Sequence, residues 1–378
     1  MARGTSRRML NLLIAFAAPS IEIPLMLSPP PIVETISNKE FTTRRPTVVA
    51  LKPLSGRCSD GPLDVSRVEA PMAELLWTTG SNLDQSVSMR FRIDETGRVL
   101  GLKRDSTGFG LNADLTPSLA ASRFGPGAPR NECSIIYQPK KSSIADADLH
   151  DLIGFSIFAQ QRAPKEVFDR ISPVTSDCNV QRPAVLLRAY PDFQKIPATT
   201  GRPDWSMVKF DIDDSGKPVR LATYGTTGNR SLDKFSTDAV AKTRFAKGAK
   251  TGCLYPYWRR GGTLASPDSK ELAAYRKPDS NCLQTVEWKY QPALVYPEAF
   301  RRRDIEGWAV IAFDLAPWGA VGNVKVVASE PAAEFGEAAR QIVMGSSTVP
   351  SAQGYSNCVI KVRYEMRTED RQPVIKPD

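Results

Sequence analysis

The side chains best placed to do chemistry in this 378-residue chain are six cysteines: Cys58, Cys133, Cys178, Cys253, Cys282 and Cys358. Taken in order they form pairs separated by 75, 75 and 76 residues. Six cysteines allow about fifteen pairings. Equal spacing singles out Cys58–Cys133, Cys178–Cys253 and Cys282–Cys358. A metal or redox role fits poorly, because no close Cys-x-x-Cys spacing occurs and His150 is the one histidine. A disulfide closing a loop of this length adds about 4 kcal/mol in the chain-entropy picture. Such bonds persist only in an oxidising compartment.

Other candidate chemistry is thin. There is no Gly-rich phosphate loop. Asp94-Glu95 and Asp213-Asp214 are adjacent carboxylates, but both fall where a hairpin turn is expected, and Asp suits such turns for backbone reasons. His150 lies among Asp146, Asp148 and Asp151 and reads as a surface residue. The tryptophans read as core or interface anchors. No catalytic residue, metal site or cofactor is expected, and enzyme function is not. The formal net charge of +9 is mildly basic. With no Lys/Arg block interleaved with aromatics, nucleic acid is not an expected partner.

The elements that must position the cysteines recur at the same scale. Midway through each pair comes an alternating strand ending in a turn. It carries Phe91 and Gly97 in the first pair, Phe210 and Gly216 in the second, and Phe313 and Gly319 in the third. A second strand follows each glycine, starting near Val99, Val219 and Val321. A short amphipathic helix comes next. Its apolar face holds Leu115, Leu119 and Ala120, then Phe235, Ala239 and Val240, then Phe335, Ala339, Ile342 and Val343. The second cysteine opens a last strand. The reading is α+β: three tandem small modules, each an antiparallel sheet with one or two short helices, each closed by a disulfide. Modules of roughly 80 residues are marginal alone, which suits such a closure.

Arg3, Arg7 and Arg8 precede an apolar run over residues 9–18, with a small-x-small site at Ala15-Phe16-Ala17. Residues 1–17 therefore read as a signal peptide and the location as periplasmic. An uncleaved inner-membrane anchor is the rival, although Pro19, Glu22 and Pro24 interrupt the run. Residues 18–56 read as an extended segment. The units span 58–139, 178–258 and 282–366, joined by linkers at 140–177 (with a helix near 144–161) and 259–281 (with a cap signal at Ser266). Residues 367–378 are a tail.

The third unit resembles the C-terminal domain of the TonB family. The resemblance rests on Tyr296-Pro297-x-Ala299, Glu306-Gly307, Phe313, Gly319-x-Val321-x-x-Val324-x-Val326-x-x-Ser329-x-Pro331 and Ala338-Ala339, in that order. The second unit matches more loosely through Tyr190-Pro191, Phe210, Gly216 and Ala239-Val240, and the first more weakly still. The resemblance implies docking by β-augmentation, in which a partner's extended peptide pairs with an exposed sheet edge. The candidate edge is the last strand of the third unit: Val359, Ile360, Lys361, Val362, Arg363 and Tyr364. Lys361 and Arg363 share one face, and Ile360, Val362 and Tyr364 the other. Implied partners are envelope proteins, including outer-membrane transporters; the oligomeric state is left open. A family transducer carries a stable membrane anchor and a Pro-rich spacer, whereas the thirty prolines here are scattered. The expected function is a periplasmic adaptor without an evident energy input. The alternative is a structural envelope protein whose modules pack on each other. Proline at Lys361 or Val362 separates the two.

Overall fold

A computed structural model describes residues 46–77, 85–105, 112–158, 162–178, 180–366 and 373–374. The signal reading of residues 1–17 lies outside the described residues. Among the described residues, no helix is long and apolar enough to cross a membrane. The chain is mixed α and β, built from several small antiparallel sheets and few helices. All three disulfides join the cysteines that equal spacing pairs.

The first cysteine-bounded segment is preceded by strand β1 (Thr47–Cys58) and begins with β2 (Gly61–Pro62) and β3 (Glu74–Leu76). The hairpin β4 (Val87–Ile93) and β5 (Val99–Arg104) follows, then helix α1 (Leu115–Ala121) and strand β6 (Arg130–Ser142). Alternation decides which face of β4 is inward: Val87, Met89, Phe91 and Ile93 are buried, and Arg90 and Arg92 are exposed. The sheet order is β2-β1-β6-β4-β5, with β3 also on β1. Helices α2 (Leu149–Phe158) and α3 (Lys165–Ile171) connect to the second segment. The single expected linker helix is thus two, with Pro164 at the N-cap of the second.

The second segment contains β7 (Val185–Leu187), β8 (Asp204–Ile212), β9 (Pro218–Thr226), helix α4 (Arg230–Lys242), β10 (Arg244–Phe245) and β11 (Lys250–Arg259). Its main sheet runs β11-β8-β9. Asn229 caps α4 by accepting from the Leu232 amide at 3.1 Å. The third segment contains β12 (Trp288–Tyr290), helix α5 (Glu298–Arg302), β13 (Gly307–Leu315), β14 (Val321–Glu330), helix α6 (Ala333–Met344), β15 (Ser347–Thr348) and β16 (Tyr355–Met366). Strand β17 (Pro373–Val374) adds to it, giving the order β14-β13-β16-β17. Between the last two segments the expected Ser266 cap starts no helix. The one helical turn there is a 3-10 turn at Leu272–Tyr275.

One local device appears in each segment. The glycine ending the hairpin turn has positive φ: +80° at Gly97, +86° at Gly216 and +90° at Gly319. Its carbonyl accepts from the amide of Phe124, Phe245 or Thr348 at 2.9 Å in every case. In the first two turns an aspartate closes the loop. Asp94 accepts from the amides of Thr96 and Arg98, and Asp213 from those of Ser215 and Lys217. Ala316 takes that place in the third turn, which is closed by backbone bonds alone: the Gly319 amide to the Ala316 carbonyl and the Ala316 amide to the Ala320 carbonyl, each at 2.9 Å.

The core is not divided into three. Leu51, Met89, Leu102 and Tyr137 of the first segment share one cluster with Phe300, Phe313, Phe335 and Tyr364 of the third. The Leu102 amide bonds the Pro331 carbonyl at 2.9 Å, and Arg92 pairs with Glu330 at 2.9 Å. A second cluster packs α2 and α3 between Val48 and Ala50 of β1 and Trp205 and Met207 of β8. The second segment keeps its own core around Phe210, Leu232 and Val240.

Candidate functional site

The six candidate docking residues lie on β16. Val310 opposes Lys361 across the ladder with β13, and Ala309 opposes Val362. Strand alternation sends Val362 and Tyr364 toward α6, where they are 2% and 0% exposed. The Tyr364 hydroxyl donates to the Phe335 carbonyl at 3.2 Å, and burial pushes its pKa far up. Tyr296 and Phe335 meet its ring edge-to-face, and Phe300 completes the aromatic cluster through an edge contact with Phe335. Val359, Ile360 and Arg363 are half-buried. Lys361 is 5% exposed: its ammonium donates to the Lys270 carbonyl at 3.4 Å, beneath the strip that contains Leu272–Tyr275. The same strip accepts the indole N–H of Trp308 at the Pro267 carbonyl, 2.9 Å away.

The residues behind the sequence pattern have physical reasons. The Tyr296 hydroxyl donates to the Ile305 carbonyl at 2.6 Å, fixing the turn that enters β13. Glu306 accepts from the Met366 amide at 2.8 Å and from the Ser266 amide at 3.2 Å, so it clamps both the end of β16 and the strip over it. Gly307 has no room for a side chain: a Cβ there would stand 2.6 Å from the Glu330 carbonyl oxygen and 2.8 Å from the Phe335 ring.

Residues 292–366 are similar to the Gram-negative bacterial TonB protein C-terminal. That match supports a TonB C-terminal domain over nearly all of the third segment, from α5 through β16. A comparison with curated proteins returned no match.

The strands equivalent in order to β16 meet different neighbours. In the first segment β6 takes β1 along its outer side, antiparallel, from Arg57 opposite Ser134 to Val48 opposite Ser142. The TonB C-terminal-like segment places β17 at the same side of β16, at Glu365 and Met366. In the second segment β11 carries Pro256, which offers no donor to a further strand. Each outer side begins alike. The Thr251 amide bonds Asp177 at 2.8 Å, the Ser356 amide bonds Asn281 at 2.6 Å, and the Asn131 carbonyl accepts from the Ser59 amide at 3.1 Å. Each disulfide therefore sits where the incoming chain meets the final strand.

Sequence reasoning missed the ionic junction that joins the three segments. Arg303, 1% exposed, donates to Asp114 of the first segment at 2.6 and 2.5 Å and to the Gly201 carbonyl of the second at 3.3 Å. Burial alone would depress the guanidinium, but the charge and bonds of Asp114 outweigh it and hold Arg303 above its ordinary value. Arg202 links Glu69, at 3.6 Å, to Asp204, at 3.3 Å. Asp204 also accepts from Thr199, Thr227 and Asn229. Arg303 stands in a run of three arginines that looks solvated. The signal was its helical phase, three residues beyond the buried Phe300. Among the described residues, no group of three or more His, Cys, Asp or Glu is placed to hold a metal ion.

Proposed function

We propose that the chain is a non-enzymatic protein-binding adaptor of the cell envelope, of TonB C-terminal type, exported to the periplasm and linked to outer-membrane transport. On this reading its three cysteine-bounded segments are degenerate copies of one module. The similarity of residues 292–366 to the TonB C-terminal carries the proposal. It is supported by the way this sheet receives strands. The order β5-β4-β6 is repeated in β14-β13-β16, and both last strands take a further antiparallel strand on the outer side. A partner segment laid along β16 would be held by backbone bonds, with Val359 and Arg363 setting side-chain preference.

A second reading, a structural protein with self-packed modules, is favoured by one set of contacts. Lys361 is buried beneath the strip before the third segment, and the first and third segments share a core. The deciding experiment places a photocrosslinker at the half-buried Val359 in the native envelope, since Lys361 is too enclosed to report. Capture of an outer-membrane transporter, abolished by Val362→Pro in a variant that retains its fold, supports the adaptor. Crosslinks confined to this chain would leave the structural reading.

A further inference from the structure

A second site lies away from β16, where the first segment, α2, the second segment and α5 converge. The cleft there has a volume of about 490 Å³, within the size range of pockets that enclose small ligands. Aromatic rings form its walls: Trp77, Phe155, Phe158 and Trp258. Two of them are large apolar groups left in water, Trp77 at 38% and Trp258 at 46% exposure. Phe158 meets Trp258 in a T-shaped contact, centroids 5.8 Å apart, which braces an indole that is still 46% exposed.

The charges of this cleft do not balance. Glu298 is taken up by Arg301, which it bonds at 2.7 Å, and lies 3.6 Å from Arg302. Asp114 is committed to Arg303, and Glu74 accepts from the Ala113 amide at 3.1 Å. Burial raises the pKa of Glu74, which further weakens it as a counter-charge. Arg162 and Arg260 also line the cleft, are exposed, and have no ion-pair partner among the described residues. Two guanidiniums without a carboxylate, beside exposed indoles, favour a ligand that brings both an anion and a π-face.

We propose that this cleft binds a small molecule carrying a carboxylate or another anionic group on an aromatic ring system. The ring stacks against Trp258 and Trp77, and the anion is held by Arg162 and Arg260. The proposal does not depend on docking at β16.

The test is titration of the full chain with 2-naphthoate, followed by tryptophan fluorescence and calorimetry, beside the neutral analogue 2-naphthalenemethanol. Saturable one-to-one binding with quenching is expected. The neutral analogue and the Arg162→Gln/Arg260→Gln variant should each bind about tenfold more weakly or worse, as loss of a charge-assisted contact implies. Trp258→Leu should lower both affinity and quenching. Both arginines are exposed, so the double variant should keep the wild-type melting temperature, which reports folding separately. Absence of saturable binding at millimolar naphthoate overturns the proposal. So does equal affinity for acid and alcohol, or unchanged affinity in the folded double variant. Photocapture at Val359 should be unaffected by any of these substitutions.

Discussion

Replacing Arg303 with Met tests whether the three segments stand as one unit. The side chain is fully enclosed and makes two charge-assisted bonds to Asp114, at 2.6 and 2.5 Å. Each such bond contributes about 1.5–3 kcal/mol, and breaking a buried pair costs about 3–5 kcal/mol because the remaining charge is stranded. Asp114 is not wholly abandoned in the variant, since it still accepts from the Met72 amide at 2.8 Å. That places the expected loss in the lower half, about 3–4 kcal/mol. The assay is equilibrium urea unfolding of the full chain, read by tryptophan fluorescence and far-UV circular dichroism together. Arg303→Met should lower the midpoint by that loss, and Arg303→Met/Asp114→Leu should recover at least half of it, because an apolar pair leaves no buried charge. A loss below about 1 kcal/mol would refute the reasoning. So would a double variant whose cost equals the sum of the two single substitutions.

The hairpin glycines and the carboxylate of Glu69 give two further tests. Gly216 and Gly228 both have positive φ, but a Cβ on Gly216 would run into the Phe245 carbonyl, whereas one on Gly228 meets nothing. Gly228→Ala should cost only the backbone strain, about 1–2 kcal/mol, and Gly216→Ala clearly more; equal costs in urea unfolding would contradict the geometry. Burial raises Glu69 above its ordinary value of 4.5, with Arg303 and Arg202 offsetting part of the effect. The folded chain then holds that proton more tightly than the unfolded one. Its contribution to stability is full below the unfolded value and lost as pH rises through the folded one. Glu69→Gln should flatten that part of the pH–stability curve, and an unaltered slope would show that Glu69 does not titrate as its burial implies.

Much of the local architecture was legible in the sequence. Equal cysteine spacing is a property of the chain alone, and so are the alternation that buries Phe91, Phe210 and Phe313 and the helical phase of Phe335, Ala339 and Val343. These signals arise within a few residues or from one repeated length. What stayed hidden depends on segments distant in sequence. Residues 47–56 read only as extended, because a strand that lies on a neighbour's edge needs no strong period of its own. The burial of Lys361 comes from residues near 270, and the enclosure of Arg303 from two segments other than its own. The tryptophans were expected as core or interface anchors: Trp205 and Trp308 are buried, at 2% and 5% exposure, whereas Trp77 and Trp258 stand partly exposed on the wall of the cleft, a difference that local periodicity does not carry. Periodicity ranks a residue's local side; it does not say which remote surface arrives to cover it.

The strand β1 has a consequence for how the chain is made. Its partner on β6 lies far downstream, with Val48 opposite Ser142. At about 5–20 residues per second, synthesis reaches that partner roughly 5–20 s after Val48 has been added. During that interval β1 offers its carbonyls and, Pro53 apart, its amides with no β6 to receive them. A chain terminated before Arg130 keeps β2 and β3 on that strand but never fills the side that β6 takes, so truncated products of this protein should be more prone to self-association than the finished one.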